Sequence, residues 1–433
     1  MAISTTNLQG RYIASTGVTL TSGRVSQWDD QQNANDLTQP NSGGRPYVIT
    51  SDGNDAVSFG EMYGDAAPHG MFIPSGITID ARSFTFACVI EAMVSAGGRA
   101  ASGLTTMSIL GTTGFVCNIF AYFDPATHLG QITVYDSAGG FLKSTRWFPM
   151  HRSILIIRCS GSDVKLWLDG VEDSKGSALV SGSVNGGVFG CGYTGASFRG
   201  AVYEALFYST AISDADRDDI VTQWKSDYDI GSRSRNLIFL GDSITYGVGI
   251  NNGSIANYPR DLANARRKRD KIWNFGVDGA RLDQIETWWG TWDSAVEASM
   301  KNIVVINAGI NDVTQGASNA TITSRMNSLL SAIRASLNTG DEILFLTMIA
   351  NGTNNSVRVA ENTNRTDGDY TEIDQVIDLT GDTDFENTAS SYFYSDAVHP
   401  SVAGYAAMAA YVDPYIVPPA PTGILRQMMM HLN

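Results

Sequence analysis

The stretch IFLGDSITYG, residues 238–247, decides how the chain is read. Its apolar run, 237–240, stops at Gly241-Asp242-Ser243. Alone, a glycine, an acid and a hydroxyl after a buried strand describe a turn or a helix N-cap. They also describe the place where an open α/β sheet holds reactive groups, beyond the carboxyl end of a strand. The neighbouring sequence separates the two readings.

From residue 236 onward, apolar runs alternate with helical stretches. Strands are expected at 236–240, 271–275, 302–307 and 342–348, and helices near 255–268, 282–300 and 322–337. Near-continuous apolar strands separated by helices imply a parallel sheet covered on both faces. The first half reads differently. Short runs at 83–94, 130–137, 153–161 and 163–170 are separated by Gly, Ser, Asn or Asp, which suits an antiparallel β-sandwich. Leu168-Asp169-Gly170 reads as a hairpin turn. Ser213 with Asp216 resembles a capping box, and Ile220, Val221, Trp224 and Tyr228 follow at helical spacing. The expected organisation is a sandwich over 1–230, a linker at 231–235 and an α/β/α domain over 236–433.

Composition narrows the function. With 433 residues, the chain exceeds one ordinary core. Its net charge of -15, from 29 basic and 44 acidic side chains, argues against a nucleic-acid partner, and the basic run 265–271 reads as an exposed helix end. Cys88, Cys117, Cys159 and Cys191 form no C-x-x-C and sit mostly in apolar runs, so buried thiols are expected rather than a disulfide framework. The first residues lack a signal-peptide pattern, and no apolar run approaches the roughly 18 residues of a membrane span. Synthesis in a cytosol, with no membrane partner, is expected.

Four segments bring chemistry to the strand ends: Gly241-Asp242-Ser243, GVDGA at 276–280, AGIND at 308–312, and Asp396 with His399 in SDAVHPSVAGY. Acyl transfer uses this set. A serine hydroxyl needs a base, and His399 is the one histidine after residue 236 apart from His431. An acid three residues earlier can fix the imidazole tautomer. An oxyanion needs donors already in place, and the candidates are the N–H groups of Ser243 and Gly279 and the Asn311 amide. Gly276 is the alternative to Gly279, and Asp242 is assigned no catalytic role. Taken by itself, Asp-x-x-His-Pro is a helix entry with Pro400 in the first turn.

GDSIT, GVDGA, GIND and DAVH together, in this order, resemble the four sequence blocks of the SGNH (GDSL-type) hydrolase family. The resemblance implies a flavodoxin-like fold, Ser243 as nucleophile, His399 as base, Asp396 as its orienting acid, and an oxyanion hole of Ser243, Gly279 and Asn311. The first block has Ile244 where the family name has leucine. The G-x-S-x-G elbow and H-E-x-x-H are absent, which disfavours α/β-hydrolases and zincins.

The first half, through its opening segment, LWLDG and FRGAVYEALFYSTAISDADRDDIVTQW, resembles the concanavalin-like (laminin-G-like) jelly-roll family. That family includes carbohydrate-binding and purely structural modules. Trp28, Trp147 and Trp167 are read as sugar-stacking or core residues, with the core favoured two to one on general burial grounds. Asp29 and Asp30 are read as calcium-holding or solvated loop acids, the latter being the ordinary case, and no metal or cofactor is expected. The polar insert 351–370 is read as a substrate-contacting segment or a surface loop. An esterase fused to a lectin-like sandwich suggests removal of O-acetyl groups from a bacterial surface polysaccharide. The pairing also looks like a bacteriophage tail-spike enzyme: a virion protein, homo-oligomeric and commonly trimeric, beside other tail proteins. The competing expectations are an inactive glycan-binding adhesin or structural virion protein, and a lipase or thioesterase of the same fold.

Overall fold

In the computed structural model, the described residues are 3–416 except 52, 60–68, 81, 93–106, 112–117, 125–128, 136–140, 148–149, 162, 177–182, 191–197, 199, 232, 248–256, 267–269 and 353–354. Cys117, Cys191 and most of the charged centre of the 265–271 run lie outside them, whereas Cys88 and Cys159 are buried free thiols.

The first half is antiparallel β-structure. Strand Gly200–Tyr208 lies at its centre, between Leu8–Ile13 and Ser83–Ala92, and Ser83–Ala92 in turn pairs with Ser153–Ser160. All 9 residues of Gly200–Tyr208 are buried. Alternation along these strands explains why. Phe84, Phe86, Cys88, Leu155, Ile157 and Phe207 enter the core between the sheets, whereas Ala87, Val89, Ile154, Ile156 and Tyr203 lie under helix α1, Asp214–Asp227. Helix α1 covers that outer face with Ile220, Val221 and Trp224. Its N-cap is Ser213, whose hydroxyl accepts the Asp216 N–H at 3.1 Å and donates to the Asp216 carboxylate at 2.6 Å. The hairpin joining Asp163–Leu168 to Val171–Gly176 has positive φ at both Asp169 (54°) and Gly170 (87°), as a two-residue primed turn requires. Trp28 and Trp167 are core residues, 0% and 2% exposed, and the side chain of Trp147 lies outside the described set. Asp30 is no loosely solvated acid. Its carboxylate accepts the N–H groups of Arg11, Gln32, Asn33 and Asn35 and folds the loop around itself.

The second half is a five-stranded parallel sheet. Its strands are β1 (Arg235–Gly241), β2 (Asp270–Gly276), β3 (Lys301–Asn307), β4 (Glu342–Leu346) and β5 (Gln375–Ile377), in the order β2-β1-β3-β4-β5. This is the flavodoxin-like order, and it places a topological switch beside β1. Helix α2 (Ser243–Tyr246) is a single turn after β1. Helices α3 (Tyr258–Arg266) and α8 (Val402–Ile416) pack together, as do α4 (Leu282–Trp292) and α6 (Asn319–Ser336). Leu237, Ile238, Phe239 and Leu240 are all 0% exposed at the centre of this core. Truncating such a side chain to alanine costs about 2–5 kcal/mol.

Three elements differ from the sequence reading. Helix α4 stops at Trp292 rather than 300, giving way to a 3₁₀ turn over Asp293–Ala295. The strand expected to run to 348 ends at Leu346, because the Asn362 side chain takes both the N–H and the carbonyl of Met348 at 2.8 Å. The insert 351–370 is no loop throughout: it contains helix α7, Asn355–Thr366.

The two halves are joined by more than the linker. β2 is one of the two edge strands, and its open side is met by the sandwich segment 150–152. Met150 N–H donates to Ile272 O at 3.2 Å, and Ile272 N–H donates to His151 Nδ1 at 3.0 Å. His151 is 1% exposed, with its ring edge-on to Trp273. Burial, with a smaller contribution from Arg233, holds its pKa well below the ordinary histidine value, so the ring is neutral and accepts at Nδ1. Arg233 donates to Arg152 O at 2.6 Å across the same junction.

Candidate active site

The turn after β1 is built by close approach. A Cβ on Gly241 would stand 2.1 Å from Thr245 Oγ1 and 2.3 Å from Asn307 O, so only glycine lets β3 and α2 come this near. Asp242 caps α2, its carboxylate accepting the Ile244 N–H at 3.0 Å. Ser243 is therefore the first residue of a one-turn helix, which ends at Gly247 with φ 101°. Thr245, within that turn, sits 3.2 Å from the Tyr258 hydroxyl of α3.

The loop after β2 is fastened beside it. Val277 N–H donates to Gly241 O at 3.0 Å, and the Asn274 amide donates to Thr245 O at 2.8 Å. Gly276 packs directly on the serine turn, since a Cβ there would lie 2.2 Å from Tyr246 N. Its N–H is already donated to Asn274 Oδ1 at 2.8 Å. Gly276 is therefore a spacer, not the alternative oxyanion donor. Gly279 has φ 79° and open space around its Cβ position. Among the described residues, the N–H groups of Gly279 and Ser243 have no protein acceptor.

The loop after β3 enters α5 (Ile310–Thr314) through Gly309, φ 109°. Asn311 Nδ2 donates to Ala280 O at 2.9 Å, tying this loop to the one that carries Gly279, and a second amide hydrogen is left over. Asp312, 0% exposed, accepts Leu282 N–H at 3.0 Å and Arg325 Nη1 at 2.6 Å. That anchoring role was not read from the sequence, where Asp312 was only the last letter of a motif.

Asp396 and His399 lie in the loop before α8. Asp396 Oδ1 accepts the N–H groups of Val398 and His399 at 3.0 Å each, and Oδ2 meets His399 Nδ1 at 2.7 Å. His399 Nε2 lies 2.9 Å from Ser243 Oγ. With a carboxylate at Nδ1, that nitrogen carries the proton and Nε2 accepts from the serine hydroxyl. Partial burial pushes the Asp396 pKa up. The His399 N–H, the imidazole and the Val398 N–H outweigh it, and the carboxyl is held below its ordinary value. Pro400 is not in the first turn of α8. It bridges to Phe393, and Ser401 caps the helix by accepting Gly404 N–H at 3.2 Å.

Ser243, His399 and Asp396 thus form one hydrogen-bonded chain, and Gly279 and Asn311 meet at Ala280. Among the described residues no group of His, Cys, Asp and Glu could hold a metal ion. No helix there is long and apolar enough to cross a membrane.

Residues 239–407 match the family model described as the GDSL-like Lipase/Acylhydrolase family. No curated protein matches the chain. Among solved structures, a member of the lipolytic protein G-D-S-L family from Veillonella parvula shares 20% identity, covering 42% of this chain and 98% of that one at a TM-score of 0.36. The lipase Lip_vut3 from a goat rumen metagenome shares 18%, covering 42% and 96%, at 0.35. Domain 4 of AbnA, a GH43 extracellular arabinanase from Geobacillus stearothermophilus, shares 14%, covering 50% and 98%, at 0.36. The C-terminal region thus resembles the GDSL-like lipase/acylhydrolase family, which supports an esterase- or lipase-type hydrolase domain there.

Proposed function

We propose that the chain is a serine esterase that removes short acyl groups, O-acetyl above all, from a carbohydrate such as a bacterial surface polysaccharide. The continuous hydrogen-bonded chain from Ser243 Oγ through His399 to Asp396 carries this reading. Ser243 Oγ attacks the acyl carbon while His399 Nε2 takes the hydroxyl proton. Asp396 balances the imidazolium from Nδ1. The carbonyl oxygen, now an oxyanion, is met by the free N–H groups of Ser243 and Gly279 and the spare Asn311 amide hydrogen. One such donor contributes about 3–4 kcal/mol to lowering the barrier. The alcohol leaves with the proton from His399. Water then attacks the acyl-enzyme through the same base, releasing the carboxylic acid and restoring Ser243.

The attached sandwich supports a glycan rather than a lipid substrate, and a virion tail, as part of a homo-oligomer, is the setting this pairing suggests. The test compares p-nitrophenyl acetate with p-nitrophenyl octanoate, using wild type and Ser243→Ala. Acetate turnover that vanishes in S243A supports the reading, and released acetate from acetylated polysaccharide completes it. A preference for octanoate turns the substrate to lipids. No Ser243-dependent release from any of these substrates would leave a binding or structural protein.

A further inference from the structure

We infer that Arg365 is a positioning residue for the oxyanion side of the site, acting on Asn311 through Ala308 and Gly309; this rests on the esterase reading above. The observation behind it is helix α7, whose inward face is polar. Arg358, Glu361, Asn362 and Arg365 recur at the i, i+3, i+4, i+7 spacing of a buried stripe, and all four are buried. Polar groups persist in such a place only when each is satisfied.

Arg365 is satisfied by the strand ends themselves. Its Nη1 donates to Leu346 O at 2.8 Å and its Nη2 to Ala308 O at 3.0 Å. These carbonyls belong to the last residue of β4 and the first residue beyond β3. One guanidinium fork thus bonds two neighbouring chain segments as they leave the sheet. Its plane lies over the Phe345 ring, 4.1 Å from the centroid. Nε faces Glu361 at 3.4 Å, and Glu361 is itself held by the Tyr370 hydroxyl at 2.6 Å.

The next residue is shaped around this contact. Gly309 has φ 109°, and a Cβ there would stand 2.9 Å from Arg365 Nη2. Two residues further is Asn311. On its other side, Asp312 is pinned by Leu282 N–H and Arg325. Asn311 is therefore held between two anchors, and Arg365 is the one behind the turn. Because Ala308 O is bonded by an arginine from α7 rather than by a strand, the placement of the amide depends on that side chain. Small displacements of an oxyanion donor lower the rate without weakening ground-state binding.

The experiment is a double-mutant cycle on p-nitrophenyl acetate hydrolysis by the full chain, with Arg365→Lys and Asn311→Ala. Arg365→Lys keeps the charge and loses the fork, and kcat should fall about tenfold with KM within about twofold. In the N311A background the same change should cost less than about twofold, because the donor it positions is gone. Equal losses in both backgrounds, or an unchanged kcat in folded R365K, would overturn the inference. If R365K fails to fold, Glu361→Gln replaces it in the cycle, since it keeps the guanidinium and removes only its charge partner; the same dependence on Asn311 is expected, and equal losses again overturn the inference. Wild type without Ser243-dependent turnover would overturn the esterase reading and this inference with it, whereas a working wild type with an additive cycle overturns this inference alone.

Discussion

Asp242→Asn removes a titration from directly behind the nucleophile. The Asp242 carboxyl is fully buried; Oδ1 accepts the Ile244 N–H, and Oδ2 has no hydrogen-bond partner among the described residues. Burial raises its pKa most, and Asp312 and Asp278 add to the rise. The Ile244 N–H and Arg365 oppose it, leaving a value of about 7 against an ordinary 3.8. The sign follows from this. Between those values the folded protein keeps a proton that the unfolded chain has released, so stability is highest at low pH. It falls as pH rises towards 7 and levels off above it. The full swing is about 4 kcal/mol, and about 3 kcal/mol of it falls between pH 5 and pH 8. Asparagine has the same shape, retains an oxygen for Ile244 and does not titrate. Hydrogen exchange at the buried β1 amides reads the opening free energy of the parallel-sheet half by itself. Taken as wild type minus D242N at each pH, it cancels the other titrating groups and the pH dependence of exchange chemistry. The difference should decline by about 3 kcal/mol from pH 5 to pH 8. A flat difference would refute the reasoning.

Asp396→Asn should leave the fold intact by near-ultraviolet circular dichroism and lower kcat on the order of 10⁴-fold, because an amide no longer fixes the His399 tautomer. Gly276→Ala should destabilise the protein by about 1–3 kcal/mol and abolish most activity, since its Cβ would strike the backbone at Tyr246 in the serine turn. Gly279→Ala meets no atoms and carries only the strain of a left-handed residue, about 1–2 kcal/mol by thermal unfolding, with its N–H retained.

Which features were legible in the sequence follows from the kind of signal each one leaves. Strands β1, β2 and β3 are buried on both faces, so they appear as apolar runs whose ends can be read to within a residue. Ser243, Gly279 and Asn311 each lie just beyond such a run, whereas Asp396 and His399, in the loop before α8, are read from their own spacing. Strand β5 is only 3 residues long, too short for any period. Helix α7 escaped notice because its inward face is charged: Arg358 bonds Met348 O and pairs with Glu386, Arg365 bonds Ala308 and Leu346, and hydropathy sees only a polar stretch. Asp242 and Asp312 are likewise acids that a sequence suggests leaving in solvent, and both are fully buried because backbone N–H groups receive them. Pairing of this kind is a property of three-dimensional neighbours and has no period along the chain.

The contact between segment 150–152 and β2 has a consequence for the catalytic half as an object in its own right. An open strand edge is an adhesive seam, ready to add a strand from any chain that offers one. Here the seam beside Ile272 is occupied by Met150 and His151 of the same molecule. The sandwich therefore acts as a plug as well as a neighbour, closing that stretch of the edge with one main-chain bond and one to the His151 ring. Cut free at the linker, the parallel-sheet half would lose that cover and expose the edge beside Ile272.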